Sequence, residues 1–291
     1  MKAAALRAWI EAMRLRTLPV SLAGVIAACG YALLAGAFRP LPAALCAVFA
    51  VLAQIASNFA NEYYDYTAGL DRAGRDGPRR GVTEGDITPR AMLRATYATL
   101  GIACMVGLSL VAWGGWWLII AGVFIALGAL AYSTGPYPLS RHALGEAAVV
   151  VFFGVVPVTL TFYLQAGTVT IPVILGSLAI GLMGANVLIV NNYRDCDDDR
   201  AVGKHTLAVA CGRRAVRSLY LLNGCLAVAL CIPAWRLLPP IARIIPVAYL
   251  ALHITLWRLL GRRTGSAINP LLGLTALAML LYATAFTLAA I

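Results

Sequence analysis

The 291-residue chain has little charge, and the two signs are unequally represented. Only 12% of its residues are Asp, Glu, Lys or Arg, and the 12 acidic residues are outnumbered by 23 basic ones. A soluble domain would carry roughly 25% charged residues, whereas 61% of this sequence is hydrophobic. The composition excludes a soluble globular protein and predicts an all-α polytopic membrane protein in a lipid bilayer.

The sequence also lacks the motifs of several kinds of site. Its seven cysteines form no C-x-x-C pair and its three histidines no H-E-x-x-H pattern, so neither a disulfide framework nor a zinc site is predicted. The N-terminus has no short apolar region with a cleavage site, and Leu18 onward is interpreted as a retained first span. The D-x-x-D-G-x-x-A-R pattern of phospholipid head-group transferases is absent, and no nucleic-acid partner is expected.

Long apolar runs predict nine transmembrane helices, because each can cross about 30 Å of hydrocarbon. Residues 1–17 precede them and are predicted to form an interfacial amphipathic helix, with Leu6, Trp9 and Ile10 on its apolar face. With a cytoplasmic N-terminus, all but three of the 23 basic residues, and all 12 acidic ones, lie on the inner side. We therefore expect a protein of the inner (plasma) membrane, with a central cavity open to the cytoplasm. The predicted spans are 18–37, 41–62, 92–112, 117–133, 145–165, 171–192, 216–235, 240–260 and 267–290.

Two polar clusters follow apolar runs and share one pattern. The first cluster, Asn61 and Asp65, matches Asn191 and Asp195 of the second as N-x-Y-x-D, 130 positions apart. On a helix that continues out of the apolar run, Asn191, Asp195 and Asp199 share one face because they lie four residues apart. The clusters follow spans two and six, and this even offset keeps them on the same side of the bilayer. We expect them to face each other at the cytoplasmic mouth.

Facing carboxylates repel one another, so the two clusters call for cations between them. Ligands that are all oxygen favour a hard ion, Mg²⁺ before Zn²⁺. Carboxylates, Mg²⁺ and basic side chains together suit a polyphosphate. The alternative is an acidic helix end that is merely solvated. The interleaved basic residues are Arg72, Arg75, Arg79, Arg80, Arg194, Arg200 and Lys204.

The whole chain, 1–291, is interpreted as one membrane-embedded domain with two cytoplasmic active-site loops, 66–90 and 193–215. The glycines of the first loop would let its backbone approach a ligand closely, although an ordinary flexible loop has the same composition. Its arginines favour an anionic ligand.

Short motifs recur along nearly the whole chain. They are RLRTLP (14–19), NEYYDYTAGLD (61–71), GPRR (77–80), GDITP (85–89), YSTGPYPL (132–139), LGE (144–146), FFG (152–154) and NNYRDCDDDRAVGKHTLAV (191–209). Together they resemble the UbiA family of intramembrane aromatic prenyltransferases, and its naphthoate subgroup in particular. The general family pattern would place a carboxylate at Gly69, but here the next one is Asp71, a spacing that resembles that subgroup. His205 stands where an arginine is expected.

The resemblance implies Mg²⁺-dependent transfer of a polyprenyl group from a polyprenyl diphosphate to 1,4-dihydroxy-2-naphthoate. The products would be CO₂, diphosphate and demethylmenaquinol. The residues that the resemblance implies as metal ligands are Asp65, Asp71, Asp195 and Asp199. Those that would contact the diphosphate are Asn61, Arg79, Asn191, Asn192, Arg194 and Lys204. The catalytic set would be Asp65, Asp195, Lys204 and Tyr132.

Several residues have two interpretations. Tyr63, Tyr64, Tyr132 and Tyr193 could stabilise an allylic cation through their ring faces or could belong to an interfacial tyrosine belt. Asp197 and Asp198 match no motif position and are expected in a solvated acidic turn.

Other functions stay open at this point. Another branch of the family would prenylate 4-hydroxybenzoate, chlorophyllide or haem, or cyclise a terpene. A transporter of an anionic substrate would place ionisable residues near the bilayer midplane, whereas the predicted spans are nearly free of charge.

Overall fold

The computed structural model of the protein describes residues 2–72 and 77–291, so Arg75 lies outside the described residues. Over these ranges the chain folds into helices and has no β-strand, which confirms the all-α prediction. The α-helices are α1 (Lys2–Met13), α2 (Leu18–Leu34), α3 (Pro40–Thr67), α4 (Pro89–Ser109), α5 (Val111–Gly114), α6 (Leu118–Ala131), α7 (Gly145–Val149), α8 (Val156–Ala166), α9 (Ile171–Ala201), α10 (Leu207–Leu230), α11 (Ile232–Trp235), α12 (Ile244–Leu260) and α13 (Asn269–Ala289).

Seven helical runs in the described residues are long and apolar enough to cross a membrane, whereas nine spans are predicted. Helix α6 has only 14 residues, about 21 Å at 1.5 Å per residue, which is shorter than a hydrocarbon core of roughly 30 Å. Helix α10 carries Arg213, Arg214 and Arg217 in its first half. The seven runs are Ala5–Leu34, Pro40–Thr67, Pro89–Gly114, Gly145–Ala166, Ile171–Ala201, Pro240–Leu260 and Gly265–Ala289.

The two longest helices carry the two polar clusters. Helix α3 has 28 residues and α9 has 31, or about 42 and 46 Å. Each is longer than the hydrocarbon core by roughly 12 Å or more. Their last turns can therefore leave the apolar layer, and these turns hold the clusters.

Helix α9 does not end where its apolar run ends. The expected continuation of the helix through Asp199 is confirmed, because α9 ends at residue 201. The segment 193–215, expected as an active-site loop, is helical except for its turn, since α10 begins at residue 207. Within the helix, Arg194 Nη2 donates to Asn191 Oδ1 (2.8 Å), so polar side chains are satisfied by one another along the helix surface. Only 202–206 form the turn, in which Gly203 adopts a φ of 76°.

Helix α1 packs along the bundle with one face and leaves another exposed. Ala8 is buried, and Trp9 meets Phe59 of α3 edge-on with ring centroids 5.6 Å apart. Leu6 and Ile10 are 62% and 43% exposed. Part of the apolar face predicted for residues 1–17 thus packs on the helical bundle, and part is exposed at the protein surface. This arrangement suits a helix at a membrane surface.

A close contact holds α9 against the run Gly145–Ala166. This run contains a π-helical turn, Val150–Val155. A Cβ on Gly154 within that turn would lie 2.4 Å from the Cα of Gly181 and from the carbonyl oxygen of Ser177. Small residues allow membrane helices to approach this closely, and the contact fixes α9 relative to the wall of the site described below.

Candidate active site

One cavity of about 440 Å³ lies between the helices and includes the C-terminal turns of both α3 and α9 in its lining. Most of its wall comes from apolar side chains of α3, α4, α6, the π-helical turn and α8, among them Phe49, Leu108, Ile119, Phe152 and Leu160. Its polar lining consists mainly of Arg14, Asn61, Asp65, Arg80, Tyr132, Ser140, Asn191, Asn192, Asp195, Asp199, Lys204 and Thr206.

The structure brings the two predicted clusters into contact. Lys204 Nζ, on the turn after α9, donates to Asp65 Oδ2 of α3 at 2.9 Å. The backbone N–H of Lys204 donates to the carbonyl oxygen of Asp199, also at 2.9 Å. Lys204 and Asp65 are both buried, so this ion pair joins the second cluster to the first inside the protein.

The N-x-Y-x-D match corresponds to the same local geometry in both helices. Asn61 Nδ2 donates to Asp65 Oδ2 at 3.3 Å, and Asn191 Nδ2 donates to Asp195 Oδ2 at 3.4 Å. In each helix the amide and the carboxylate lie one turn apart on the face that lines the cavity.

Three arginines surround the first cluster. Arg14 and Arg80 both donate to Asn61 Oδ1, and Arg141 Nη2 lies 3.6 Å from Asp65 Oδ1. Arg14 has a φ of 53°, a left-handed conformation that costs free energy in a non-glycine residue. This strained residue separates α1 from α2 and lines the cavity.

A buried carboxylate binds the backbone two residues after Arg80 and so fixes the position of Arg80 at the cavity. Glu62 of α3 is 1% exposed and accepts the backbone N–H of Val82 at 3.0 Å. This bond ties the described part of the α3–α4 loop to the helix. Among the described residues, Nε of Arg80 faces the Asp71 carboxylate at 3.5 Å, and Nη1 is buried without a hydrogen-bond partner. A buried guanidinium with an unused donor suits an anionic ligand.

Arg194 binds Asp195 of the second cluster from outside the cavity. Its Nε and Nη2 donate to the two oxygens of Asp195 at 2.7 and 2.8 Å. Nη1 donates to Asn269 of α13 at 2.8 Å. Arg194 is buried but does not line the cavity, so its guanidinium orients Asp195 instead of facing the space that a diphosphate would occupy.

Two further residues expected in the site lie away from the cavity. Arg79, expected at the diphosphate, is half exposed and pairs with Asp86 at 2.6 Å. Asp71, expected at the metal, lies 3.5 Å from Arg80 Nε, behind that guanidinium. The other expected site residues line the cavity: Asn61, Asp65, Tyr132, Asn191, Asn192, Asp195, Asp199 and Lys204.

Sequence reasoning did not select Arg14, Arg80, Arg141 or Glu62 as site residues. Arg14 and Arg80 belong to the motifs at 14–19 and 77–80. Membership in these motifs is the sequence feature from which both could have been predicted as site residues. The choice between the neighbouring Arg79 and Arg80 depends on the loop conformation that Glu62 fixes.

The described residues contain no group of three or more His, Cys, Asp or Glu side chains close enough to hold a metal ion. Instead, Asp65 pairs with Lys204, and Asp195 pairs with Arg194. The donors that line the cavity nevertheless fit Mg²⁺, because they are carboxylate and amide oxygens. Asp65 Oδ1 is buried, accepts no hydrogen bond from the described residues and faces the Arg141 guanidinium at 3.6 Å, so the site already holds positive charge beside this carboxylate.

The remaining tyrosines and acids lie outside the cavity. Tyr132 is the one tyrosine of the described chain in the cavity wall. Tyr63 and Tyr64 contact each other edge-on at 5.0 Å, and Tyr193 lies under Arg213. Asp197 and Asp198 are exposed, as expected, but they lie in helix α9 and not in a turn, and Asp197 pairs with Arg200 and Arg213.

Comparison with known sequences gives relatives along nearly the whole chain. The 1,4-dihydroxy-2-naphthoate octaprenyltransferase of Escherichia coli (strain K12) is 41% identical over 214 residues, covering 71% of this chain and 69% of that protein. The protein of the same name from Mycobacterium leprae (strain TN) is 34% identical over 282 residues, covering 95% and 94%.

Solved structures share the fold at lower identity. A UbiA homolog from Archaeoglobus fulgidus bound to GPP and Mg²⁺ has a TM-score of 0.70 at 16% identity, over 96% of this chain and 99% of that one. The sequence profile of the UbiA prenyltransferase family matches residues 22–272. With relatives that are similar over most of their length, this match shows that the chain belongs to the UbiA prenyltransferase family.

Proposed function

We propose that the protein transfers a polyprenyl group from an allylic polyprenyl diphosphate to 1,4-dihydroxy-2-naphthoate, giving demethylmenaquinol with release of CO₂ and diphosphate. The observation that carries the proposal is a single cavity with a long apolar wall and a polar lining that contains both clusters. A polyprenyl diphosphate has the same two parts, a long apolar chain and a highly charged head. The names of the Escherichia coli and Mycobacterium leprae relatives support the choice of acceptor.

The diphosphate is assigned to the basic side chains that line the cavity. Arg80 has a buried donor, Nη1, from which no described residue accepts a hydrogen bond, and Lys204 already bridges the two clusters. Charge-assisted hydrogen bonds from such groups to phosphate oxygens are among the strongest in proteins. Asn61 and Asn191 complete this assignment, with Arg80 in place of Arg79.

The metal ligands are assigned to Asp65, Asp195 and Asp199, whose carboxylates line the cavity, with Asp71 as a further candidate behind Arg80. When bound, Mg²⁺ would neutralise the charge that develops on the departing diphosphate. The structural neighbour bound to GPP and Mg²⁺ supports a divalent cation here.

The reaction follows from the substrates and the cavity. The bond between the allylic carbon and the diphosphate oxygen breaks, and we assign stabilisation of the allylic cation to the ring of Tyr132, which lines the cavity. The apolar wall keeps water from that cation. The electron-rich ring then forms a carbon–carbon bond at the carbon that bears the carboxylate. That carbon has no proton to lose, so the ring regains aromaticity by losing CO₂.

We further propose nine spans in the inner (plasma) membrane, with the N-terminus and the cavity mouth on the cytoplasmic side. The distribution of basic residues supports this orientation. A reporter fused after Ile291 should then be active only outside the cytoplasm. Activity restricted to the cytoplasm would contradict the nine-span topology.

The function can be tested with the purified full-length protein in detergent. It is incubated with Mg²⁺, polyprenyl diphosphates of several lengths, and either 1,4-dihydroxy-2-naphthoate or 4-hydroxybenzoate, and lipid extracts are analysed by mass spectrometry. We expect a prenylated, decarboxylated naphthoate product. Prenylation of 4-hydroxybenzoate alone would indicate another branch of the family. Absence of any prenylated product, with uptake of an anion into vesicles that contain the protein, would indicate a transporter.

A further inference from the structure

We infer that the side of the cavity formed by residues 132–146, the turn 202–206 and Asn192 is the subsite for the aromatic acceptor, and that the hydroxyls of Ser140 and Thr206 bind its oxygen substituents. The inference rests on the proposed function, since it assumes a hydroxylated aromatic acid as the second substrate. None of these hydroxyls is used in the diphosphate and metal assignments.

The two segments are held together beside the cavity. His205 N–H donates to the carbonyl oxygen of Arg141 at 3.0 Å, and Ser140 and Thr206 are the immediate chain neighbours of these two residues. Ser140 N–H in turn donates to the carbonyl oxygen of Tyr132 at 2.9 Å. Ser140, Thr206 and Tyr132 all line the same cavity, so an aromatic ring and two hydroxyls are available in one region.

Both hydroxyls lack an internal partner. Ser140 Oγ and Thr206 Oγ1 are buried without a hydrogen bond to the described part of the chain. Thr206 occupies the N-cap position of α10, where a threonine hydroxyl commonly accepts a backbone N–H, yet it makes no such bond. Leaving a buried hydroxyl unpaired is unfavourable, and a ligand oxygen would supply the missing partner.

A third polar group on this side is oriented by a buried carboxylate. Asn192 lines the cavity, and its Nδ2 donates to Glu146 Oε1 at 2.8 Å. The amide nitrogen therefore faces Glu146, and the amide oxygen is left for the cavity. Glu146 is 6% exposed and does not line the cavity, and it therefore acts as a positioning residue.

The donors and acceptors on this side match a hydroxylated aromatic carboxylate. Two hydroxyls can donate to carboxylate or phenolic oxygens, and the Asn192 oxygen can accept from a ring hydroxyl. Arg80 belongs to the α3–α4 loop and bonds Asn61 of the first cluster. Lys204 bonds Asp65 of the first cluster and lies two residues before Thr206 in the chain, so the two substrates would meet near Lys204 and Tyr132.

The test is steady-state kinetics of the full-length protein in detergent, with each substrate varied in turn, using the aromatic acid that the wild type prenylates. Ser140→Ala and Thr206→Ala should each raise the KM for the acceptor roughly five- to tenfold, the scale of one hydrogen bond, with the KM for the prenyl diphosphate unchanged. Thr206→Ser keeps the hydroxyl and should restore the acceptor KM. The matched control is Ser218→Ala, because this exposed hydroxyl bonds only to its own helix, at Arg214.

The outcomes separate the inference from the proposed function. If the wild type prenylates the naphthoate but both alanine variants keep its acceptor KM, or raise the KM of the prenyl diphosphate instead, the acceptor subsite is overturned and the function stands. If the wild type prenylates no aromatic acid, the function fails and the subsite fails with it. A raised acceptor KM in Ser140→Ala that Ser218→Ala does not share supports the subsite even if Thr206→Ala does not fold.

Discussion

Two neighbouring arginines provide a sharp test of the diphosphate assignment. Arg80 is 7% exposed, lines the cavity, faces Asp71 through Nε at 3.5 Å and has Nη1 without a hydrogen-bond partner in the described residues. Arg79 lies outside the cavity wall, and its side chain is 49% exposed and paired with Asp86, itself 30% exposed. The two residues are chemically identical, so replacing each with alanine compares two positions and not two kinds of side chain.

The expected difference is large. A hydrogen bond to a charged group contributes about 1.5–3 kcal/mol, and each 1.4 kcal/mol corresponds to about a tenfold change. Loss of one bond from Arg80 to the diphosphate should therefore lower kcat/KM for the prenyl diphosphate by roughly 10- to 150-fold. The exposed pair of Arg79 is worth about 0–1 kcal/mol, so Arg79→Ala should change kcat/KM by no more than about fivefold.

The assay is the initial rate of prenyl transfer from radiolabelled polyprenyl diphosphate, at a fixed acceptor concentration, for Arg79→Ala, Arg80→Ala and Arg80→Lys. Arg80→Lys keeps the charge but loses the fork of donors and should lie between the wild type and Arg80→Ala. An Arg79→Ala defect as deep as that of Arg80→Ala would refute the reasoning, because nothing in the geometry of Arg79 accounts for it.

Three further predictions follow from the burial of particular residues. Asp195→Ala should lower turnover by at least about a hundredfold at saturating Mg²⁺, whereas Asp198→Ala, at an exposed position, should change turnover only a few-fold. Similar losses of turnover in the two variants would mean that Asp195 was wrongly chosen over Asp198 as the metal ligand. Arg194→Ala removes the guanidinium that neutralises the buried Asp195 carboxylate, at a cost of about 3–5 kcal/mol, and should lower the unfolding temperature in detergent. An unchanged temperature would contradict a stabilising role for this ion pair. Gly154→Ala should destabilise the protein by about 1–3 kcal/mol. Gly273→Ala serves as the control, because the space around a Cβ at Gly273 is open. Equal unfolding temperatures for the two variants would contradict the close packing at Gly154.

The sequence predicts the second cluster well because its geometry is local. Residues four apart on a helix share a face wherever that helix lies, so Asn191, Asp195 and Asp199 could be grouped before any tertiary contact was known. The match to Asn61 and Asp65 then predicts two copies of one arrangement, and the two Asn-to-Asp hydrogen bonds are nearly equal in length.

Contacts between distant segments could not be predicted in this way. The burial of Arg80 depends on the hydrogen bond from Val82 to Glu62, which is set by the path of a loop. The role of Arg194 depends on where α13 places Asn269. The interpretation of 193–215 as an active-site loop also did not show that helix occupies most of this segment and that its polar side chains bond to one another.

Release of the acceptor carboxyl group tests the central claim most directly. Purified protein, Mg²⁺ and a polyprenyl diphosphate are incubated with 1,4-dihydroxy-2-naphthoate labelled in its carboxyl carbon, and labelled CO₂ and prenylated product are counted together. We predict one labelled CO₂ for each prenylated product, no label in that product, and loss of both signals when the metal is chelated. A prenylated product that retains the labelled carbon would contradict bond formation at the carboxyl-bearing carbon and, with it, the reaction proposed for this cavity.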